Sequence, residues 1–255
     1  MFYKIVVSYL GRDFLGWQKQ LQTSNTIQGH LEKAINQVSK DGLINSIGSG
    51  RTDTGVHAIG QVVRLEMSRD YPEDMFLKGV NNFLPASIRV LQVEKCEESF
   101  HPVFSSKKKI YKYVLGALPS RPFLDGLFLY YPHEINKNLM REGAQAFIGK
   151  HDFCNYFCTG TDVSSTSRKI FACDFGKTNY LDLGFNQIYG DFYEFRVEGE
   201  GFLKQMVRLM VGALIALNEG KIDLQDIQTS LKVPLRQKLG PTAPPDGLYL
   251  EGVDY

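Results

Sequence analysis

The chain has 255 residues, of which 43% are hydrophobic and 22% charged, which allows one large domain or two of ordinary size around a buried core. No run approaches the roughly 18 apolar residues of a membrane span, so we expect none. The four cysteines favour a reducing cytoplasm over a disulfide scaffold. The net charge of +1 indicates no general attraction to nucleic acid, although basic residues can still cluster locally.

The first half of the chain alternates strand and helix patterns. The opening MFYKIVVSYLG is rich in β-branched and aromatic residues, and predicts a first strand rather than a signal peptide. An apolar period of 3.6 residues from Ile27 to Val38 predicts a helix, with Asn25 and Gln28 spaced like a capping box. Three further elements follow in order: a half-exposed strand near Val63–Met67, a helix near Glu73–Leu84 and a strand at Ile88–Val93.

The second half begins near Phe104 and again mixes strands with helices. Its patterns predict, in chain order, a strand at Ile110–Leu115, a helix near Asn138–Ile148, strands near Ile170–Phe175 and Phe192–Val197, a long helix from Phe202 to Asn218 and a short helix near Leu224–Leu231. We therefore predict an α+β protein in which helices cover a mixed or antiparallel sheet. The two domains are expected to comprise residues 1–104 and 105–255.

The glycine-rich segment from Gly48 to Ala58 offers the first candidate for chemistry. Its three glycines let the backbone approach a ligand closely. Arg51 and Asp53 lie two residues apart within it, and a carboxylate that is ionised at neutral pH can act as a nucleophile or base. The alternative is that Asp53 only closes an Asx turn, which is common in such loops.

Two other polar groups are weaker candidates. His57 has the right side chain for acid–base catalysis, but a histidine beside valine and alanine is more often a packed structural residue. The segment His151–Cys158 contains nitrogen, carboxylate and thiol groups, yet its Cys-x-x-x-Cys spacing among aromatic residues differs from that of zinc sites. We expect this segment to be core and expect no metal.

The long helix predicted from Phe202 to Asn218 is apolar on nearly every side, which predicts burial. Arg208 would then lie in a dry environment and require a carboxylate partner. Two alternatives stay open, namely a structural ion pair and a side chain that reaches solvent.

A basic run surrounds the predicted strand at Ile110–Leu115 and contains no acidic residue: Lys107, Lys108, Lys109 and Lys112. It indicates either a solvated surface or a contact with RNA. Tyr111 lies within this run, and an aromatic ring beside cations can hold an unstacked base. The alternative for Tyr111 is packing in the core.

Eight short motifs are distributed over nearly the whole chain. They are Tyr9–Gln20 with the pattern YxGxxFxGWQxQ, Thr26–Ala34, Ser49–Val62 (SGRTDTGVHAIGQV), Asn82–Pro85, Phe100–His101, Lys109–Tyr113, Gly201–Arg208 and Pro244–Leu250. Together they resemble the bacterial tRNA pseudouridine synthase A family. The chain departs from that family's pattern at Thr54, where alanine is usual, and at Pro102, Val103, Lys204 and Gln205.

This resemblance implies a pseudouridine synthase fold with an active-site cleft between the halves, and a cytoplasmic homodimer whose partner is tRNA. It implies isomerisation of uridine to pseudouridine at positions 38 to 40 of the anticodon arm, without metal or cofactor. By motif position, Asp53 would be the catalytic nucleophile or base, Arg51 would hold the opened nucleotide, Tyr111 would stack on the uracil and Arg208 would pair with Asp53. The candidates for RNA contact are Lys107, Lys108, Lys109, Lys112 and Lys204.

Two other functions are compatible with the residues alone. A glycosidase-like enzyme could use Asp53 on C1′, but a retaining mechanism needs a second carboxylate about 5 Å away, and the segment Gly48–Ala58 supplies none. A non-catalytic protein that binds or remodels RNA would tolerate the loss of Asp53, whereas an isomerase would not.

Overall fold

The computed structural model describes residues 1–117, 122–158, 163–234 and 237–255. The elements in chain order are β1 (Phe2–Tyr9), α1 (Ile27–Ser39), β2 (Leu43–Gly48), β3 (His57–Met67), α2 (Glu73–Phe83), β4 (Ile88–Lys95), β5 (Lys108–Gly116), β6 (Leu129–Tyr130), α3 (Lys137–Gln145), β7 (Gly149–Asp152), a 3-10 helix (Cys154–Tyr156), β8 (Ser167–Asp182), β9 (Gln187–Gly199), α4 (Met206–Asn218), α5 (Leu224–Ser230) and β10 (Leu248–Asp254). This mixture confirms the predicted α+β class. Within the described ranges, no helix has the length and apolar character needed to cross a membrane.

The chain folds as two compact units. The first unit comprises Met1–Lys107 and Tyr249–Tyr255, and the second comprises Lys108–Leu248. The sequence analysis assigned residues 105–255 to the second half. In the structure, the carboxyl-terminal residues Tyr249–Tyr255 belong to the first unit instead. Tyr249 and Leu250 of β10 pair in parallel with the start of β3, which holds the end of the chain in the first unit.

In the first unit, the strands follow the order β4-β1-β3-β10, and β2 also pairs with β3. β1 is antiparallel to both β3 and β4. Its side chains alternate between buried and half-buried positions, because successive residues of a strand point to opposite faces of the sheet. The buried residues of β1 are Tyr3, Ile5, Val7 and Tyr9.

Helix α1 is capped by Thr26, whose side chain accepts a hydrogen bond from the backbone N–H of Gly29. The predicted capping box of Asn25 and Gln28 is therefore wrong. Gln28 is instead buried, and its Nε2 donates to the Ser46 hydroxyl at 3.1 Å. The predicted apolar face of the helix is confirmed, since these residues are buried: Ile27, Leu31, Ala34 and Ile35.

In the second unit, the strands follow the order β5-β9-β8-β7, and β6 pairs with β5. β5, β9, β8 and β7 are antiparallel to their neighbours. β8 and β9 are much longer than predicted and form one hairpin. Because β5 pairs with β9 over eight residues, its side chains alternate regularly between the two faces of the sheet.

The long apolar helix is confirmed, but it begins at Met206 rather than at Phe202. Gln205 has a left-handed backbone with φ of 61°, which a regular helix does not contain. Lys204 therefore lies before the helix, and Arg208 lies in its first turn. Phe202 lies in the irregular segment before the helix. Ten of the 13 residues of α4 are buried, whereas Arg208 is half-buried rather than in the dry setting expected.

Candidate active site

The Asp53 loop, residues 49–56, joins β2 to β3 in the first unit, and its beginning is fixed to β3. The backbone N–H of Ser49 donates to the carbonyl of Val62 at 2.8 Å. The Ser49 hydroxyl donates to Oε1 of Gln61, and Nε2 of Gln61 donates to the carbonyl of Gly50 at 2.7 Å. Ser49 and Gln61 are fully buried. The loop therefore leaves the sheet in a defined direction.

The segment Tyr9–Trp17 holds the Asp53 loop from a second side. The N–H of Trp17 donates to the carbonyl of Thr52 at 3.1 Å, and the N–H of Gly55 donates to the carbonyl of Phe14 at 3.4 Å. The hydroxyl groups of Tyr9 and Thr52 lie 2.8 Å apart in a buried hydrogen bond. The residue before Asp53 is thus fixed through both its backbone and its side chain.

Two glycines make this close packing possible. At Gly11, a Cβ atom would lie 1.8 Å from the carbonyl oxygen of Val56. At Gly16, whose φ is 87°, a Cβ atom would lie 2.8 Å from the carbonyl oxygen of Thr52. A side chain at either position would collide with the backbone of the Asp53 loop. The glycines of the YxGxxFxGWQxQ pattern are therefore explained by contact with this loop.

Asp53 and its neighbours differ in exposure. Thr52 is buried, Asp53 is half-buried, and Arg51 and Thr54 are exposed. The carbonyl of Asp53 accepts the N–H of Val56 at 3.1 Å, so the backbone turns directly after Asp53.

His57 is a packed residue at the start of β3. Its side chain is 1% exposed, its Nδ1 accepts the N–H of Gly11 at 3.0 Å, and its ring lies 4.8 Å from that of Tyr249. A ring nitrogen that accepts a hydrogen bond carries no proton, so the geometry favours the tautomer protonated on Nε2. His57 therefore links the end of β1 to the end of the Asp53 loop.

The second unit contains the Tyr111 cluster, which we define as Tyr111, Tyr113, Phe202, Arg208 and Asp246. Tyr111 and Tyr113 lie on the same face of β5, and the Phe202 ring packs edge-on against Tyr111 at 5.0 Å. The Tyr113 hydroxyl donates to the carbonyl of Pro244 at 2.9 Å. Burial raises the pKa of Tyr113 well above its usual value, and the nearby charge of Arg208 opposes that rise while Asp246 adds to it.

Arg208 is anchored within the second unit, because its Nε donates to the carbonyl of Ala243 at 2.7 Å. Sequence reasoning had assigned no role to Phe202 or Asp246. Both residues lie in motifs that were noted in the sequence, Gly201–Arg208 and Pro244–Leu250. The spacing within these motifs does not predict which residues their side chains contact. The structure places Tyr111 and Arg208 in one unit and Asp53 and Arg51 in the other.

The basic residues proposed for RNA contact have different surroundings. The Nζ of Lys107 donates to the carbonyl of Tyr255 at 3.0 Å, and that of Lys108 lies 2.7 Å from the Glu198 carboxylate. Lys112 is only 2% exposed and donates to the carbonyl of Asp182. Lys204 is exposed, and Lys109 is half-buried. The run therefore does not form one uniform basic surface.

Comparison with known proteins identifies the family of this chain. A family model described as tRNA pseudouridine synthase matches residues 5–105 and 144–255. The chain belongs to this family. The proteins named tRNA pseudouridine synthase A of Pseudothermotoga lettingae and Listeria innocua are 37% and 36% identical to it, over 98% and 99% of this chain and 98% of each relative. The one from Thermodesulfovibrio yellowstonii is 35% identical over 99% of this chain and 98% of its own length.

The tRNA pseudouridine synthase match covers most of the candidate site. Its first segment contains the Asp53 loop and the segment Tyr9–Trp17, and its second contains Phe202, Arg208 and Asp246. Tyr111 lies between the two matched segments. Its place in the site therefore rests on its packing against Phe202 and on the resemblance of Lys109–Tyr113 to the family pattern.

The segment from His151 to Cys158 packs largely as core. Phe153 and Tyr156 are almost completely buried, and the Nε2 of His151 lies 2.9 Å from the carbonyl of Ile148. Within the described part of the chain, no three side chains of the metal-binding types are grouped so that they could hold an ion.

Proposed function

We propose that this chain is a tRNA pseudouridine synthase that isomerises uridines at positions 38 to 40 of the anticodon arm. The observation that carries the proposal is the Asp53 loop. A carboxylate follows a residue that is fixed by both its backbone and its side chain, in a chain that belongs to this family. Catalysis at a defined sugar atom requires a reacting group that is held in place before the substrate binds.

Asp53 is the proposed reacting group. To form pseudouridine, the uracil must leave C1′ of the ribose, rotate and rejoin C1′ through C5. An ionised Asp53 can attack C1′, which breaks the bond to N1 and forms an ester. The uracil C5 later displaces that ester, after which the proton on C5 is lost and N1 gains a proton. Asp53 can alternatively remove the proton from C2′, giving a glycal-like intermediate. Both routes return the carboxylate unchanged, and neither needs a metal or an organic cofactor.

The Tyr111 cluster is the proposed site for the uracil. A base in RNA must leave the stack before its glycosidic bond can react, and an aromatic ring can replace the lost stacking. Tyr111 is proposed to stack on the uracil, and Arg51 to hold the opened nucleotide. We further propose that Arg208 pairs with Asp53 when the active site is complete, so that the two units each supply one charge.

The active form is proposed to be a cytoplasmic homodimer with one active-site cleft between the halves of each chain. Light scattering should then give a mass near twice the 28.9 kDa of one chain. A mass of one chain at assay concentrations would contradict this part of the proposal.

The function is tested by mapping pseudouridine in tRNA transcripts incubated with the purified protein. Transcripts with uridine at position 38, 39 or 40 are compared with transcripts that carry cytidine at all three positions. We expect pseudouridine only in the first set and only at those positions. Tight binding of both sets without any pseudouridine would instead indicate a non-catalytic RNA-binding protein, and pseudouridine elsewhere would contradict the proposed site.

A further inference from the structure

The segment from Gly240 to Gly247, with the sequence GPTAPPDG, crosses the first turns of α4 in the second unit, and we call it the proline segment. Its three prolines have no backbone N–H, so those positions can be held only through their carbonyl groups. The N–H of Ala243 donates to the carbonyl of Arg208 at 3.2 Å, and the Ala243 carbonyl accepts from Nε of Arg208 at 2.7 Å. One residue of the proline segment therefore holds both the backbone and the side chain of Arg208.

The crossing depends on Gly212, which lies one helical turn after Arg208 in α4. A Cβ atom at Gly212 would lie 1.8 Å from the carbonyl oxygen of Pro241, and a Cβ atom at Gly240 would lie 2.3 Å from the carbonyl oxygen of Gly212. The two backbones are therefore in direct contact. A helix interior favours alanine over glycine, so the helix alone gives no reason for a glycine here. The contact with the proline segment is that reason.

Tyr113 of β5 holds the proline segment beyond Ala243. Its ring is completely buried, and its hydroxyl donates to the carbonyl of Pro244 at 2.9 Å. A Cβ atom at Gly247 would lie 2.8 Å from the same ring, and the Gly247 carbonyl accepts the N–H of Val114 at 2.9 Å. Because burial raises the pKa of Tyr113 well above its usual value, the hydroxyl stays protonated and remains a donor.

These contacts give the side chain of Arg208 a defined orientation. A guanidinium is planar and rigid, so a hydrogen bond at Nε fixes the direction of its plane. The acceptor of this bond belongs to Ala243, which is only 3% exposed and lies directly before Pro244. Gly212 and Tyr113 hold the proline segment on either side of Ala243, so a change at either residue should displace that acceptor.

Resting on the proposed function, we propose that Gly212 and Tyr113 are positioning residues for the isomerisation, which act through the proline segment on the guanidinium of Arg208. Neither residue touches the substrate, since Gly212 has no side chain and Tyr113 is buried. A charge stabilises a transition state most when it is oriented in advance. Displacement of the Ala243 carbonyl should therefore slow the chemical step and leave tRNA affinity within a few fold of the wild type.

The first test measures the single-turnover rate of pseudouridine formation and the tRNA affinity of Tyr113→Phe, which keeps the ring and removes the bond to Pro244. The rate should fall about tenfold, as expected when one hydrogen bond to a buried group is lost. The matched control is Tyr156→Phe, which removes a buried hydroxyl that lies 2.7 Å from the Ser230 hydroxyl in the same unit. It should lower thermal stability to a similar degree and leave the rate unchanged.

Gly212→Ala tests the crossing itself, and its rate should fall further than that of Tyr113→Phe. Its control is Gly143→Ala in α3, where a Cβ atom would lie 2.8 and 2.7 Å from the side-chain ends of Leu214 and Leu217 in the same helix α4. Because those side chains can move, this control should keep its rate. If Gly212→Ala does not fold, Tyr113→Phe and its control still decide the proposal.

Two further readouts distinguish positioning from general structural support. In an Arg208→Met background, Tyr113→Phe should lower the rate no further, because the group that it positions is already absent. The second readout is hydrogen exchange at the Arg208 Nε–H, observed in protein with isotope-labelled arginine and identified by its absence from Arg208→Met. Exchange should be slow in the wild type and in Tyr156→Phe, and faster in Tyr113→Phe.

The outcomes separate this proposal from the proposed function. If the wild type forms pseudouridine but Tyr113→Phe keeps the full rate, or loses the same factor with and without Arg208, only the positioning role is wrong. If the wild type forms no pseudouridine, the enzymatic proposal fails, and the exchange of the Arg208 Nε–H still decides the positioning. Faster exchange in Tyr113→Phe would support it, and unchanged exchange would overturn it as well.

Discussion

The Asp53 loop of the first unit and the Tyr111 cluster of the second unit are held in place by different means. The loop is fixed mainly by backbone hydrogen bonds and by glycines that allow two backbones to touch. The cluster depends on side chains, with Phe202 packed on Tyr111 and Arg208 bonded to a carbonyl. Substitution of a residue that supports the loop should therefore abolish activity. Substitutions in the cluster should instead lower activity to different degrees.

The largest effect is expected for Gly11→Ala. Its Cβ atom would lie 1.8 Å from the carbonyl oxygen of Val56, and neither backbone can move without breaking the bonds around the Asp53 loop. Overpacking of this kind costs about 3 kcal/mol of unfolding free energy. Chemical denaturation should show that loss, and pseudouridine formation should be abolished.

The control for Gly11→Ala is Gly252→Ala in β10 of the same unit. A Cβ atom there would meet no heavy atom of the described chain within 4 Å. This variant should keep both stability and activity. Equal stability of the two alanine variants would show that the close packing against the Asp53 loop is not needed.

A smaller effect on stability is expected for Arg208→Met. The side chain is half-buried, so the lost bond to the carbonyl of Ala243 should cost about 1–2 kcal/mol, less than for an ion in a dry core. Pseudouridine formation should fall more than this loss explains, because the proposed partner of Asp53 is removed. Arg141→Met, which removes an exposed ion pair with Asp174, should leave activity unchanged. Full activity of Arg208→Met would make Arg208 merely structural.

The smallest loss of activity is expected for substitutions of Tyr111. Tyr111→Phe keeps the ring that packs on Phe202 and should keep most activity, whereas Tyr111→Leu removes the π-face. Loss of base stacking costs about 1–3 kcal/mol, which is roughly a 5- to 150-fold fall in kcat/KM. If Leu supports the same kcat/KM as Tyr, the ring does not stack on the substrate.

The sequence predicted well the elements that have a strong apolar period. It predicted poorly the strands that lack such a pattern or pair with a segment far away in the chain. The apolar face of α1 and the boundaries of α2 are local patterns and agree with the structure. β2 was not predicted, because apolar and polar residues do not alternate in its sequence, LINSIG. In the structure only Ser46 of this strand is buried. β10 was not predicted as a strand, because its partner, the start of β3, is distant in sequence.

In the candidate site, too, contacts between segments far apart in the chain could not be predicted from the sequence. The glycines and the carboxylate of the Asp53 loop were visible in the sequence, because residue type alone indicates a close-packed turn with an ionised group. The contact of Gly11 with Val56 and that of Phe202 with Tyr111 were not visible, since each joins segments far apart in the chain. The late start of α4 was also hidden, because the left-handed backbone of Gln205 interrupts an apolar pattern that continues past it.

The central claim is that Asp53 carries the chemistry while other residues bind the tRNA. The most direct test maps pseudouridine at positions 38 to 40 and measures tRNA affinity for Asp53→Asn, with Asp41→Asn as the control. Asp41 is exposed and has a φ of 61°, which asparagine also adopts. We predict that Asp53→Asn forms no pseudouridine and binds tRNA within a few fold of the wild type, while Asp41→Asn is unchanged in both. Substantial pseudouridine formation by Asp53→Asn would contradict the claim.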